Sequence, residues 1–186
     1  KACRENNIPI RIGVNMGSID KEMEKQYGRT PKAMVESAFM HIGLLNKFDF
    51  DDIVLSLKAS DVLKTVEAYR LMSASCNYPL HIGVTEAGTA YSGLIKSSVG
   101  IGALLMDGIG DTIRVSLTAP PVEEITAAKY ILKSVGLKSG GIEFVSCPSC
   151  GRCKINQVEV ANTVEKALNK IDKPIKVAVM GCAVNG

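Results

Sequence analysis

The chain has 186 residues with a formal net charge of +3, 46% hydrophobic residues and 22% charged residues, which is typical of a folded globular protein. Scattered Lys and Arg, no Trp and few other aromatic residues argue against a nucleic-acid surface. The longest apolar run, 99–106, contains two glycines and is too short to cross a bilayer, so we expect no membrane contact.

Six short β-rich runs alternate with helical patterns along the chain. The predicted strands cover residues 9–14, 52–57, 80–84, 112–117, 142–146 and 175–180. Helices are predicted to begin after Thr30, which a proline follows, and after Ser60. A third helix opens at Pro121 and ends at Gly136, and the last covers 158–168. Strands separated by helices pair in parallel through right-handed crossovers, so the predicted fold class is α/β.

Polar residues stand at or near the carboxyl ends of the first four predicted strands. They are Asn15, Lys58, Glu86 and Ser116, with Arg11 inside the first strand and Arg114 inside the fourth. In a β/α barrel this end of the sheet carries the chemistry, but four units are only half of the eight that a closed barrel needs. We therefore expect either an open sheet or a piece of a longer protein.

This polar ring is suited to an anionic ligand. A lysine at a strand end beside a helix N-terminus is a good phosphate partner, and an arginine there serves equally well. Lys58 by itself is also compatible with an ordinary solvated lysine, so the signal comes from the set as a whole. Glu86 fits two roles equally well: a proton-transfer group in the mouth of a barrel, or a carboxylate that caps a turn or helix.

The cysteines give the strongest chemical signal. Cys147 and Cys150 stand three positions apart on a predicted turn, and Cys182 follows a second apolar run. Two thiols at this spacing can hold one metal ion or one edge of an iron–sulfur cluster, and a third thiol from a neighbouring strand completes the site. No signal-peptide pattern opens the sequence, so we expect a cytoplasmic, reducing setting in which disulfides are rare.

Cys153 extends the local pattern to C-x2-C-x2-C. With the other three thiols it supplies the four ligands of a structural zinc site, and a zinc module without a redox role is the alternative function. Three adjacent thiols on one turn crowd a single tetrahedral ion, so a cluster fits better. The small-residue stretch 139–141 precedes the cysteine-bearing strand, and we expect a boundary there between domains 1–138 and 139–186.

Six ordered segments carry a resemblance to a known family. They are Arg-Ile-Gly-Val-Asn-Met-Gly-Ser (11–18), Ser-Leu-Lys-Ala-Ser (56–60), Ile-Gly-Val-Thr-Glu-Ala-Gly (82–88), Gly-Ile-Gly-Asp-Thr-Ile-Arg-Val-Ser-Leu (108–117), Cys-Pro-Ser-Cys-Gly-Arg (147–152) and Gly-Cys-Ala-Val-Asn-Gly (181–186). Together they resemble the bacterial 4-hydroxy-3-methylbut-2-enyl diphosphate synthases over essentially the whole chain. The resemblance implies β/α units five to eight of a TIM (β/α)8 barrel, followed by the beginning of a small α/β iron–sulfur domain.

The resemblance also implies an activity and a set of site residues. The activity is the reductive opening of 2-C-methyl-D-erythritol 2,4-cyclodiphosphate in the non-mevalonate isoprenoid pathway. The residues assigned to the diphosphate are Arg11, Asn15, Lys58, Arg114 and Ser116, those assigned to a 4Fe–4S cluster are Cys147, Cys150 and Cys182, and Glu86 is assigned to proton delivery near the reacting hydroxyl.

Partners follow from the same resemblance. A ferredoxin or a flavodoxin is the implied electron donor, and a homodimer is implied because the cluster domain of one subunit closes over the barrel of the other. The family's fourth cluster ligand is a glutamate shortly beyond 181–186, which this sequence lacks, and Cys153 has no assigned role. Without the other barrel units, the sheet has unpaired edges, and we expect the isolated chain to be inactive.

Overall fold

In the computed structural model, which describes residues 1–138, 140–168, 171 and 173–185, the chain forms two compact units. The first unit is Lys1–Val135 and the second is Gly136–Gly186. The boundary predicted between 138 and 139 falls at Ser139, which lies outside the described residues, so it stays a prediction. Both units combine parallel strands with helices, which confirms the predicted α/β class.

In the described part of the first unit, parallel strands alternate with helices. The strands are β1 (Ile10–Asn15), β2 (Ile53–Lys58), β3 (His81–Ile82) and β4 (Thr112–Ile113). The helices are α1 (Ala2–Glu5), α2 (Lys21–Tyr27), α3 (Pro31–Asn46), α4 (Val62–Ser75), α5 (Ala90–Met106) and α6 (Pro121–Ser134). β1 pairs with β2, a bridge between Leu55 and Leu80 joins β2 to β3, and β3 pairs with β4. The strands therefore lie side by side in chain order.

The sheet of the first unit has one apolar and one polar face. In β1, Ile12 and Val14 are buried in the core, whereas Arg11, Gly13 and Asn15 alternate with them and are exposed. Of the twelve largest fully buried side chains among the described residues, the helices contribute five: Tyr69, Met34, Met72, Ile101 and Leu104. Because the helices cover the apolar face, the polar face stays free to build a site.

Most of the predicted helix boundaries are confirmed, and one is wrong. Thr30 caps α3 through a hydrogen bond from a first-turn backbone amide. α4 is capped by Asp61 and not by Ser60, because the Asp61 carboxylate accepts a first-turn amide at 2.9 Å. α6 begins at Pro121 as predicted, and Gly136 follows its end with a φ of +76°, the left-handed conformation that glycine adopts easily.

The sequence pattern does not predict α2 or α5. Glycines inside α5 lower its helix propensity, so intrinsic propensities do not predict this helix. Tertiary packing compensates, because a Cβ on Gly100 would lie only 2.7 Å from Cγ2 of Val84, so the helix approaches the sheet closely at this position. Met106, the last residue of α5, is 75% exposed.

β3 and β4 are shorter than the predicted strands 80–84 and 112–117. Arg114 lies one residue beyond β4 rather than inside it, although its backbone N–H still donates to the Ile82 carbonyl at 2.9 Å. Beyond Ile82 the segment that follows β3 is no longer a strand, and Glu86 within it has a φ of +51°. The apolar pattern in the sequence therefore extends further than the two strands do.

The second unit contains a pair of parallel strands and a helix in its described part. β5 (Glu143–Ser146) pairs with β6 (Lys176–Val179), and α7 (Gln157–Leu168) lies between them in the sequence. These bounds agree with the predicted elements to within one residue. Across the described ranges of the whole chain, no helix is long and apolar enough to span a membrane.

A buried tyrosine links the helix layer to the sheet. The hydroxyl of Tyr69, which is fully buried, donates to the His81 carbonyl at 2.7 Å and accepts the Leu57 amide at 3.0 Å. We predict that Tyr69→Phe lowers the free energy of unfolding by about 1 to 3 kcal/mol, because it leaves two buried backbone groups without a partner. Urea denaturation measures the change. Tyr91→Phe, at a position that is 78% exposed, is the control and should change nothing; equal stability of both variants would contradict the role of Tyr69.

Candidate functional site

Three of the cations predicted for the anion site interact at the polar face of the first unit. Lys58 is the last residue of β2 and is only 8% exposed. Burial first, and then the positive charges of Arg114 and Arg11, lower the pKa of Lys58 to about 8. Among the described residues, no carboxylate forms an ion pair with Lys58. An anion bound at Lys58 would therefore relieve repulsion that the protein itself leaves uncompensated.

The other predicted anion-site residues stand at the same end of the strands. Asn15 ends β1 and is opposite Lys58 in the β1–β2 register. Ser116 follows β4 by three residues, and Glu86 follows β3 by four. Neither Ser116 nor Glu86 has a hydrogen bond to the cations in the described structure. Chain position thus brings them to this edge of the sheet, whereas the electrostatic interactions connect only Arg11, Lys58 and Arg114.

Glu86 is exposed and has an unusual backbone. Its φ of +51° lies in the left-handed region, which is uncommon for a residue with a Cβ. The helix-capping role that the sequence leaves open does not apply to α5, whose N-cap is Thr89. The carboxylate of Glu86 is therefore available to solvent or to a ligand after β3.

Gly83 makes room for the Lys58 ammonium. A Cβ on Gly83 would overlap the backbone oxygen of Arg114 and would lie 3.4 Å from Nζ of Lys58. We predict that Gly83→Ala lowers the free energy of unfolding by about 1 to 3 kcal/mol, because β3 and β4 must separate. Thermal unfolding tests this prediction. Gly13→Ala is the matched control on the same face, since its Cβ meets nothing within 4 Å; an undisturbed Gly83→Ala would contradict the close approach.

His81 is a neighbour of this site that the sequence analysis does not single out. Its Nδ1 lies 2.8 Å from Oγ1 of Thr112, and its Nε2 is buried without a hydrogen-bond partner in the described structure. Burial first, and then the charges of Lys58, Arg11 and Arg114, lower the pKa of His81 to about 4. The imidazole is therefore neutral at pH 7.

All four cysteines of the second unit line one pocket. Cys147 follows β5 directly, and Cys182 follows β6 by three residues. The pocket encloses about 180 Å³ of empty space, part of it open to solvent, and is lined by Cys147, Pro148, Cys150, Cys153, Gln157, Gly181 and Cys182. The amide of Cys147 donates to the Val179 carbonyl at 3.2 Å, which extends the β5–β6 pairing to the first thiol. Parallel strand ends thus bring the two cysteine segments to one pocket.

A buried glutamine holds the two strand ends in register. Gln157, only 4% exposed, donates from Nε2 to the Val179 carbonyl at 2.7 Å and to Oγ of Ser146 at 3.1 Å. Its Oε1 is buried and has no hydrogen-bond partner in the described structure. Sequence reasoning missed Gln157, because a glutamine at the start of a helix is common in sequences without a site.

The electrostatics of the turn favour a thiolate at Cys150. The backbone and then the side chain of Arg152 hydrogen-bond to the sulfur and lower the pKa of the exposed Cys150 thiol. The thiolate is the form of cysteine that binds metals. The turn therefore favours the thiolate form of Cys150.

The donor set can be tested against the two metal groups that the sequence leaves open. Within the described ranges, no three His, Cys, Asp or Glu side chains are close enough to hold one metal ion. A tetrahedral zinc site needs sulfurs about 3.8 Å apart, given zinc–sulfur bonds of about 2.3 Å. An iron–sulfur cluster binds each thiolate through a different iron and accepts a wider arrangement. The four thiols around the pocket therefore do not form a mononuclear metal site in the described structure.

Comparison with known proteins identifies the family. Residues 1–129 match the GcpE TIM-barrel domain, and residues 143–186 match the GcpE protein C-terminal domain. The chain therefore belongs to the GcpE family, which confirms the resemblance found in the sequence and assigns its parallel β/α units to a TIM barrel.

Three relatives carry the name 4-hydroxy-3-methylbut-2-en-1-yl diphosphate synthase (flavodoxin). The protein from Ruminiclostridium cellulolyticum is 60% identical over 99% of this chain and 52% of its own length. Those from Clostridium perfringens and Geobacter sulfurreducens are each 59% identical over the whole chain, which covers 54% and 53% of their lengths. The chain thus spans about half the length of the curated relatives it matches.

Proposed function

We propose that this chain is part of an oxidoreductase that converts 2-C-methyl-D-erythritol 2,4-cyclodiphosphate to 4-hydroxy-3-methylbut-2-enyl diphosphate. The observation that carries the proposal is the buried Lys58 between Arg11 and Arg114 without a carboxylate partner among the described residues. Relatives named as this synthase support it. In this proposal residues 1–138 are β/α units five to eight of the barrel, and residues 139–186 begin the cluster domain.

The substrate's diphosphate would be held by the polar face of the sheet. Lys58 stays protonated at pH 7 despite its lowered pKa of about 8, and an anion between it and the two arginines raises that pKa again. Asn15 and Ser116, at the same end of the strands, add neutral donors. Glu86 would exchange a proton with the reacting hydroxyl, because its carboxylate is exposed beyond β3.

The cofactor we propose is a 4Fe–4S cluster held by Cys147, Cys150 and Cys182. When bound, it would supply two electrons, one at a time: the ring C–O bond breaks with its oxygen kept on the phosphate, and the neighbouring hydroxyl takes up a proton and leaves as water as the double bond forms. The chain's own contribution is to hold the thiols: the β5–β6 pairing and Gln157 fix the distance between the Cys147 and Cys182 segments. A flavodoxin is the proposed electron donor, as in the relatives' names, with a ferredoxin as the other carrier of single electrons.

A homodimer is part of the same proposal. The sequence resemblance implies that the cluster domain of one subunit closes over the barrel of its partner, which would bring the thiol pocket to the cations of the other chain. Size-exclusion chromatography of the complete enzyme tests this arrangement. The structural-zinc alternative finds no support among the relatives named above.

A chimera tests the proposed function directly. These 186 residues replace the matching segment of the Ruminiclostridium cellulolyticum relative, which is 60% identical to them. We expect the anaerobically loaded chimera to convert the cyclic diphosphate with reduced flavodoxin, and the isolated chain to show no conversion. A folded chimera that contains the cluster and yet does not convert the substrate would refute the proposal. Conversion by the isolated chain would refute its dependence on the remaining barrel units.

A further inference from the structure

We propose that His81 is a positioning residue of the anion site, whose buried Nε2 accepts a hydrogen bond from the Lys58 ammonium and directs that ammonium at the bound anion. The inference rests on the proposed function for the identity of the anion, which is the diphosphate of the substrate. It adds a residue that neither the polar strand ends nor the family resemblance assigns to the site.

The strand register brings His81 and Lys58 to the same face of the sheet. The bridge between Leu55 and Leu80 sets the register of β2 against β3. In that register Lys58 lies opposite Gly83, and His81 is the preceding residue on the same face, because alternate residues of a strand share a face. A Cβ on Gly83 would lie 3.4 Å from Nζ of Lys58, so the ammonium lies over β3, one position from His81.

Two hydrogen bonds fix the orientation of the imidazole. Its Nδ1 lies 2.8 Å from Oγ1 of Thr112, which is opposite His81 in the β3–β4 register. The His81 carbonyl accepts the buried hydroxyl of Tyr69 at 2.7 Å, which holds the backbone that carries the ring. Since Nδ1 is directed at β4, the other ring nitrogen is directed away from β4. Lys58 stands on β2, the other neighbour of β3.

Lys58 and His81 each have a polar group that lacks a partner. Nε2 of His81 is buried and has no hydrogen-bond partner in the described structure. The Lys58 ammonium, on a side chain that is only 8% exposed, forms no ion pair with any described residue. One hydrogen bond between the two satisfies both. That bond requires the tautomer in which Nε2 carries the lone pair and Nδ1 donates its proton to Thr112.

The charges around the ring keep the imidazole neutral, as this role requires. Burial first, and then the charges of Lys58, Arg11 and Arg114, lower the pKa of His81 to about 4. A neutral imidazole adds no fourth positive charge to the site and keeps a lone pair for the ammonium. The anion therefore meets an ammonium that is already oriented, and less side-chain freedom is lost on binding.

Two substitutions of similar shape separate this role from a purely structural one. Asparagine places its amide where Nδ1 of histidine stands and keeps the Thr112 bond, whereas glutamine places its amide where Nε2 stands. In calorimetric titration of the full chain with inorganic diphosphate, we expect His81→Asn to bind about tenfold more weakly and His81→Gln to stay within about twofold. If only the Thr112 bond mattered, the order would be reversed. His41→Asn, at the other histidine of the chain, is the control and should leave the affinity unchanged.

A second measurement needs neither a ligand nor a folded variant. A long-range proton–nitrogen correlation spectrum of the isotope-labelled chain at pH 7 shows which nitrogen of each imidazole carries the proton, and the chain has only two histidines. We expect His81 to carry its proton on Nδ1 and His41 to show mainly the Nε2–H form that free histidine favours. A proton on Nε2 of His81, or an affinity of His81→Asn equal to or above that of His81→Gln, would overturn the proposal. An unmodified chain that binds no diphosphate would instead overturn the anion site of the proposed function, and this role of His81 with it.

Discussion

Replacing Lys58 with methionine should weaken the binding of inorganic diphosphate about 30-fold, because one charge-assisted hydrogen bond is worth about 2 kcal/mol. The same substitution should stabilise the free protein by about 1 to 2 kcal/mol, since it removes a buried ammonium from between two arginines. Affinity and stability thus change in opposite directions, which is the signature of a residue retained for a ligand. Replacing a residue that is retained for folding would instead lower both the affinity and the stability.

Isothermal titration calorimetry with diphosphate and thermal unfolding at pH 7 measure the two effects. Lys64→Met is the matched control, because Lys64 is an exposed lysine on the following helix, α4. It should leave the affinity unchanged and the stability within about 0.5 kcal/mol. Unchanged diphosphate affinity in Lys58→Met would contradict the anion site, and a loss of stability would contradict the uncompensated charge.

The pH dependence distinguishes the Lys58 ammonium from the arginines. The pKa of Lys58 is about 8 in the folded protein and near its ordinary value of 10.5 in the unfolded chain. As the pH rises through 8, folded Lys58 loses its proton, so diphosphate affinity should fall in the native protein and stay flat in Lys58→Met. Between these two pKa values the unfolded chain binds more protons than the folded one, so the free energy of unfolding should rise with pH. A native affinity that does not change between pH 7 and 9 would be inconsistent with this assignment.

Local chemistry was enough to predict most of the fold. The alternation of β-rich runs and capped helices gives β1, β2, β5 and β6 to within one residue, because each of these strands is an uninterrupted apolar or alternating segment. α5 escapes such reasoning, since Gly100 is favourable only because the helix approaches Val84 of the neighbouring segment there. β3 ends at Ile82, two residues before its predicted end, and a left-handed residue, Glu86, follows two residues beyond that predicted end.

The candidate site divides in the same way. Lys58, Arg11 and the cysteines can be found in the sequence by residue type and spacing. In the structure Lys58 and Arg11 interact electrostatically in the first unit, and the cysteines line one pocket in the second. His81 and Gln157 do not, because an isolated histidine in a strand and a glutamine at a helix start are common in sequences without a site. What distinguishes them is a buried polar atom without a partner, which only the folded arrangement reveals.

Cys182→Ala should abolish cluster assembly, with bound iron and sulfide at least about tenfold below the unmodified chain after anaerobic loading. Cys182 is the only described thiol that approaches the pocket from the β6 side, and the other three stand on the turn after β5. Without it, one side of the cluster faces water, where iron is lost by hydrolysis and oxidation. Iron and sulfide analysis and visible absorbance near about 400 nm measure the loss.

Cys3→Ala is the matched control, since Cys3 is also partly exposed but belongs to the first unit and does not line the pocket. Both metal-free variants should unfold within about 0.5 kcal/mol of the unmodified chain, because neither sulfur is deeply buried. Loss of iron in Cys182→Ala with an unchanged metal-free fold therefore isolates ligation from folding. Full iron content in Cys182→Ala would mean that the thiols after β5 hold the metal alone. That result would contradict a cluster site shared by the segments after β5 and β6.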